Sequence, residues 1–497
     1  MPPFLTQEFW DRKAYAIDRS TYVTRGRTTL LGVLSYDRES KRLLRLAIPL
    51  SSQSTIETLL EAAMTAIISH HIGTEALAAY ALCTVLLSLA DGLFRGLDEA
   101  EEILIAQALG MNNYLLAGQY VQLTTAIYFI GAIPLYTLWT FLINDIILTM
   151  GLGEGIAQTA RTYVATKSIS HLITNGVSDT LGGLLRCDGK ARIVAIIDIA
   201  FNVICVTLAA VAVIVGGRSL ESIGFIHLVI SIFYAIFMSF LCLRNGWLEP
   251  YRKGMFHHCA VSDWKLVRSV LKFAAPLSLG SALSELEWGV LLLSAGHISP
   301  EAIAAWSVFG AIWAVFECAP GGISSAAIVR ISFHLGNANP RMAKIAAYKS
   351  LLYVALVALV VTVLFLTNSE AIIHLFTHNH RLTAMLENSV YLLAMGNVLM
   401  CVGSCAWNIV NAQSRTRLAT LIYVSIVWCV TTPLSPVYIF ALGYGIDSLA
   451  SAIVVGYATM ALVLCLVVFT TNWTKESMRI ITKSGATIPG SGIDILS

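Results

Sequence analysis

A chain of 497 residues with 57% hydrophobic and only 12% charged side chains, at a mean hydropathy of +0.73, cannot hide its apolar surface in one water-facing globule. Lipid is the solvent these numbers imply. The formal charge of +2 leaves no basic footprint, so no nucleic-acid partner is expected.

A helix that crosses ~30 Å of hydrocarbon needs roughly 20 apolar residues, and runs of that length recur from Leu43 almost to Thr470. They lack period-two alternation, and lipid offers a bare backbone no hydrogen-bond partner, so helices rather than a barrel are predicted. Residues 1–42 are charged and lack the apolar stretch of a secretory signal; they are expected to be a cytoplasmic tail. Spans then follow near 43–70, 76–108, 114–143, 156–184, 190–215 and 222–244. The longest connection, 245–266, holds Pro250, Gly254 and the pair His257-His258, and reads as a cytoplasmic linker rather than a metal site. Further spans are predicted near 267–295, 301–334, 346–367, 386–412, 416–442 and 447–470, with a cytoplasmic tail at 471–497. The fold class expected is an all-α integral membrane protein of about twelve spans, in two six-helix lobes at 43–244 and 267–470.

Arginine and lysine set the orientation. Arg186, Lys190 and Arg192 follow the fourth span, Arg341 and Lys344 the eighth, and Arg415 and Arg417 the tenth, whereas Arg218 and Arg381 are the clear cases in alternate loops. Both termini are therefore expected in the cytoplasm. The cysteines mostly lie inside apolar runs without paired spacing and read as packing residues, and no CxxC or HExxH spacing points to zinc. No metal or cofactor is expected.

The two halves resemble each other in register. Leu46 to Leu50 matches Phe273 to Leu277 around Pro49 and Pro276, and His71 to Ala79 matches His297 to Ala305. Leu109-Gly110 matches Leu335-Gly336, and the basic turn Arg186 to Arg192 matches Asn411 to Arg417. With six spans per half, such repeats are parallel and related by an axis along the membrane normal, leaving a mid-membrane cleft that can open to either side.

Ala319 to Gly336 follows without gaps a pattern of Pro320, Gly322, Ser324, Ala326-Ala327, Val329-Arg330 and Leu335-Gly336. It is similar to the eighth-helix pattern of the multidrug and toxic compound extrusion (MATE) family. Gly96 to Gly110, with Glu102 and Gln107, resembles the second-helix motif of the family's eukaryotic members; Leu184 to Arg192 resembles the turn after its fourth helix, and Asn202 stands where the family carries a fifth-helix asparagine. The resemblance covers roughly residues 40 to 470. It implies two lobes in a V that extrude cationic, amphipathic organic solutes in exchange for H⁺ or Na⁺ as the coupling ion. The familiar coupling acids are partly absent: Thr65, Val206 and Met400 stand at or near their first-, fifth- and tenth-helix places.

Other acids must then couple. A carboxylate inside a span is costly and is a functional candidate by default, and in a low-dielectric cleft it holds a proton more readily than in water. Glu57 and Glu61 lie one turn apart on the first span; Glu285, close to the family's seventh-helix glutamate, and Glu287 lie on different faces of the seventh; Glu317 precedes Pro320. Glu102 reads as either a functional acid or part of a solvated or arginine-paired entrance, and Asp198 and Asn202 as a polar pair or a helix–helix contact. Trp288, Trp306 and Trp313 are candidates to line the site by ring-face attraction to an organic cation. Arg330 is expected to anchor or snorkel. A monomer in a plasma, vacuolar or other organelle membrane, handling a small organic solute, is the expectation. A lipid-linked sugar flippase stays open as an alternative and calls for a basic cavity; a membrane enzyme calls for convergent nucleophile, base or metal ligands that no spacing provides.

Overall fold

In lipid a backbone amide has no partner but its own helix, and among the described residues the chain is helical with no strand. The computed structural model describes residues 33–72, 74–149, 153–216, 219–257, 259–376, 380–439 and 445–483. Those from Arg38 onward form one unit and those before it another. His258 of the histidine pair, Arg218 and most of the amino-terminal stretch lie outside the described residues.

The amino-terminal half comprises α1 (Arg38–His71), α2 (Thr74–Gly110), α3 (Tyr114–Thr149), α4 (Glu154–Ile173), α5 (Thr180–Leu185), α6 (Ala191–Ile214) and α7 (Leu220–Arg244). The carboxy-terminal half comprises α8 (Trp264–Gly296), α9 (Pro300–Gly336), α10 (Pro340–Thr367), α11 (Ser369–Phe376), α12 (His380–Asn388), α13 (Val390–Ala412), α14 (Thr416–Ile426), α15 (Thr432–Val437), α16 (Ile446–Thr470) and α17 (Trp473–Lys483). Ten stretches among the described residues are long and apolar enough to cross a membrane, and one of them, Glu154–Ile214, has 61 residues. At ~1.5 Å per residue that is several times a hydrocarbon thickness, and it is broken at Gly189, where φ is 82°; it holds two spans. Among the described residues that makes eleven, and the 34-residue α1, long enough to cross but too polar to count among the ten stretches, brings the number of long helices to the expected twelve. Helix faces such as Phe233, Ile236 and Phe240 on α7, and Leu462, Leu466 and Phe469 on α16, leave large apolar side chains exposed at helical spacing, as lipid-facing surfaces require.

The halves meet through paired close approaches. A Cβ on Gly322 of α9 would lie 2.3 Å from Ser51 N of α1, and one on Gly96 of α2 would lie 2.0 Å from Ser278 N of α8. Ser51 and Ser278 each follow the repeated proline by the same spacing, and Gly96 and Gly322 precede the repeated Leu-Gly by the same spacing. Likewise a Cβ on Gly110 would meet Phe333 O at 2.2 Å and one on Gly336 would meet Gln107 O at 2.2 Å. A twofold rotation maps each contact onto its counterpart. The turns repeat too: Asn112 and Ala338 both have positive φ, 56° and 53°, as do Gly189 and Ser414. Small residues let helix backbones touch where lipid supplies no hydrophobic drive between them. Gly322→Ala should therefore force α1 and α9 apart and cost about 1–3 kcal/mol, read as a lower melting temperature of the purified chain. Gly321→Ala, where a Cβ meets nothing within 4 Å, is the control; equal melting of the two variants would contradict the close crossing.

Several expectations change. The first helix begins at Arg38 rather than near 43, which brings Glu39 into the bundle. There Arg330 Nε and Nη2 donate to Glu39 Oε1 and Oε2 at 2.8 and 2.6 Å, both side chains are buried, and His334 Nε2 lies 3.2 Å from Glu39 Oε1. Arg330 anchors α9 to α1 and does not snorkel. Gln107 Nε2 donates to Ala412 O at 3.2 Å and Ser414 Oγ at 2.9 Å, closing the same end of the bundle. The connection after α7, read as a linker, is docked on the bundle: Tyr251 is buried, and a Cβ on Gly254 would meet Leu115 O at 2.1 Å. The stretch after α16 is not merely a tail, for α17 caps the bundle, with Ser477 Oγ donating to Leu335 O at 2.7 Å and Arg479 Nη2 donating to Gln413 O and Ser414 O at 3.2 and 3.1 Å.

Candidate substrate and coupling cavity

Between the halves lies a cavity of about 1030 Å³, walled by α1, α2, α4, α6 and α7 on one side and by α8, α9, α13, α14 and α16 on the other. That is the size of a pocket for a drug-like molecule. Nine carboxylates reach it against three strong bases, Arg95, Lys167 and Arg186.

Glu285 stands on the α8 wall with Trp288 one turn on. Its Oε1 is 3.9 Å from Arg95 Nη1, and the two side chains are 38% and 61% exposed, so the pair is loose. Glu317 lines the cavity from α9. Glu287, two residues past Glu285, is buried and takes a hydrogen bond of 3.1 Å from Tyr423 OH; it does not belong to the lining. On α1, Glu57 faces the cavity and accepts from Gln53 Nε2 at 3.1 Å and Asn202 Nδ2 at 3.2 Å. Glu61, one turn further, is exposed and stands outside the lining. Asp198 and Asn202 do not pair with each other: Asn202 ties α6 to Glu57 of α1, while Asp198 accepts from Tyr234 OH of α7. Glu102 forms an ion pair of 2.7 Å with Arg186, the entrance reading. Trp288 and Trp313 reach the cavity, whereas Trp306 is buried behind them, its ring 5.4 Å from that of Trp288. Thr65 donates to Glu61 O at 3.0 Å, and Met400 lines the cavity.

Five further charged or polar-charged groups were not singled out from the sequence. Arg95, Lys167 and Asp179 line the cavity. Asp91 Oδ1 accepts from Tyr136 OH at 2.9 Å and lies 3.0 Å from His171 Nδ1 and 3.5 Å from Asn175 Nδ2, binding α2, α3 and α4 together. All of them fall inside predicted spans, so the rule that an intramembrane ionisable residue is a candidate would have found them had it been applied to every aspartate, base and histidine as well as to the glutamates.

A bundle of about twelve spans with twofold-related halves enclosing a polar, drug-sized cavity is a polytopic membrane transporter. The MatE family model matches residues 49–213 and again 276–437, once in each repeat, and the chain belongs to that family of transporters, the multidrug and toxic compound extrusion proteins. It is 22% identical over 447 residues to Protein DETOXIFICATION 38 of Arabidopsis thaliana, covering 88% of this chain and 86% of that one. It is 25% identical over 422 residues to Protein DETOXIFICATION 37 of the same plant, covering 83% and 82%. The crystal structure of the eukaryotic MATE transporter AtDTX14 superposes with a TM-score of 0.82 at 18% identity, over 91% of this chain and 99% of that one.

Proposed function

We propose that this chain is a secondary active antiporter that exports organic, mainly cationic and amphipathic solutes in exchange for H⁺ or Na⁺. The observation that carries this reading is Glu285, a half-exposed carboxylate on the cavity wall beside Trp288, in a loose 3.9 Å pair with Arg95. An exposed pair of that kind is worth ~0–1 kcal/mol, so an incoming proton or organic cation can replace Arg95 as its partner. An indole one turn away adds a ring face for the same cation. Proton and solute then compete for one charge, and occupancy by either excludes the other. That competition is exchange.

Glu317 and Glu57 extend the acidic wall to both halves and serve as further coupling acids, with Glu57 held by Asn202. Residues 43–244 and 267–470 act as two lobes that rock about the twofold axis, with alternating access to the cavity. In this reading the end closed by Glu39–Arg330, Gln107–Ser414 and α17 faces the cytoplasm with both termini, and the protein works as a monomer in a plasma or organelle membrane. The names of the Arabidopsis relatives, with their reference to detoxification, support export of foreign organic compounds. The excess of carboxylates weighs against a flippase for phosphate-linked sugars, which needs a basic cavity.

The test is reconstitution into vesicles with imposed pH and Na⁺ gradients compared side by side. One gradient should drive movement of a fluorescent organic cation against its concentration difference. Movement under neither gradient would overturn the antiport reading.

A further inference from the structure

Two of the three strong bases in the cavity carry a carboxylate of their own, Arg186 with Glu102 at 2.7 Å and Arg95 with Glu285 at 3.9 Å. Lys167 on α4 is the third, and among the described residues no carboxylate comes within ion-pairing distance of its ammonium. Asp91 and Glu61 reach it through their field without contact. Asp91 is already engaged by Tyr136, His171 and Asn175, and Glu61, outside the cavity lining, makes no ion pair with Lys167. An ammonium brings three donors and no acceptor, and at membrane depth such a group without a direct counter-charge is retained for function.

Its neighbours on the same wall leave the donor role to Lys167. Ser170 and Ser231 spend their hydroxyls on each other and on His227 O. His227 Nδ1 bonds to Ile223 O at 2.9 Å, and because a carbonyl only accepts, the ring hydrogen sits on Nδ1. Within one cavity, then, the α4–α7 wall presents an unpaired cation while α8 and α9 present Glu285, Glu317 and Trp288.

We propose that Lys167 forms a subsite for an anionic oxygen group of the solute, a carboxylate or a sulfate or phosphate ester, so that the chain accepts zwitterions whose cationic end rests on Glu285 and Glu317. This rests on the export reading above and narrows its substrate class. A solute with both charges satisfies the two walls at once, whereas a plain cation leaves the lysine bare and a plain anion meets an excess of carboxylates.

Rhodamine 110 and its methyl ester, rhodamine 123, share one cationic ring system and differ in a free carboxylate, which makes them matched probes. Binding to the purified full chain, followed by fluorescence anisotropy, gives the acid-to-ester affinity ratio. Lys167→Gln should lower that ratio about tenfold, the cost of one charged hydrogen bond, and Lys167→Arg should restore it. Ester binding in the same sample reports that each variant is folded. An unchanged ratio in Lys167→Gln overturns the subsite, as does a wild-type chain that binds the ester alone, and either result leaves cation export standing. Binding of the acid alone keeps the subsite and overturns cation export; binding of neither dye overturns both.

Discussion

Glu285→Gln should reduce proton-driven efflux of organic cations to the vesicle leak while the protein still inserts and folds. Glutamine keeps the shape and one hydrogen-bonding end of glutamate but can neither carry the charge that attracts a cation nor release a proton. Folding should survive because the side chain is 38% exposed and its Arg95 partner, at 3.9 Å, is 61% exposed; such pairs contribute ~0–1 kcal/mol to stability. Glu287→Gln, two positions away, is the contrasting case. Its carboxylate is buried and receives the Tyr423 hydroxyl at 3.1 Å, so that change should act on packing rather than on the ion stoichiometry of transport. Efflux measured under an imposed pH gradient distinguishes them. Undiminished transport by Glu285→Gln removes this residue from the mechanism and passes the role to Glu317 or Glu57.

Arg330→Gln should destabilise the bundle more than any other single change discussed, by about 3–5 kcal/mol. The guanidinium makes a two-pronged contact to Glu39, with exposures of 1% and 2% for the two side chains, so removing it leaves a carboxylate buried beside His334 with no strong counter-charge. The expected readout is a large fall in the melting temperature of the detergent-purified chain. Glu39→Gln combined with Arg330→Gln removes the orphan charge and should recover part of the loss, because a buried pair is costly to break from one side yet contributes little net stability as a pair. A double variant no more stable than the single one would show that the ion pair is not what holds α1 to α9. The same double variant tests the gate in transport. If this pair shuts one end of the cavity, its loss should raise substrate leak as well as lower stability.

The sequence by itself determined the solvent, the helical fold, the twelve spans, the internal repeat and the family. Each of these depends on local quantities: apolar run length, residues with special turn geometry such as Gly189, and motifs such as Pro320 to Gly336 that survive as contiguous text. The repeat was legible in the same way, because the prolines and the Leu-Gly pairs stand in register in the two halves, whereas the Ser51–Gly322 and Gly96–Ser278 contacts came only from the structure. What faces the cavity was decided only by tertiary structure. Glu57 and Glu61 share a helix face by spacing, yet α1 crosses the cavity at one and leaves it at the other. Glu285 and Glu287 lie about 200° apart around α8, but nothing in the chain says which direction is the cleft and which is the Tyr423 pocket. Partner identity was hidden for a similar reason. Glu39 and Arg330 stand 291 positions apart, and a charged residue reads alike whether it meets lipid headgroups, a solute or a counter-charge from a distant helix, since that outcome is fixed by how the helices pack and not by the residue's own neighbours.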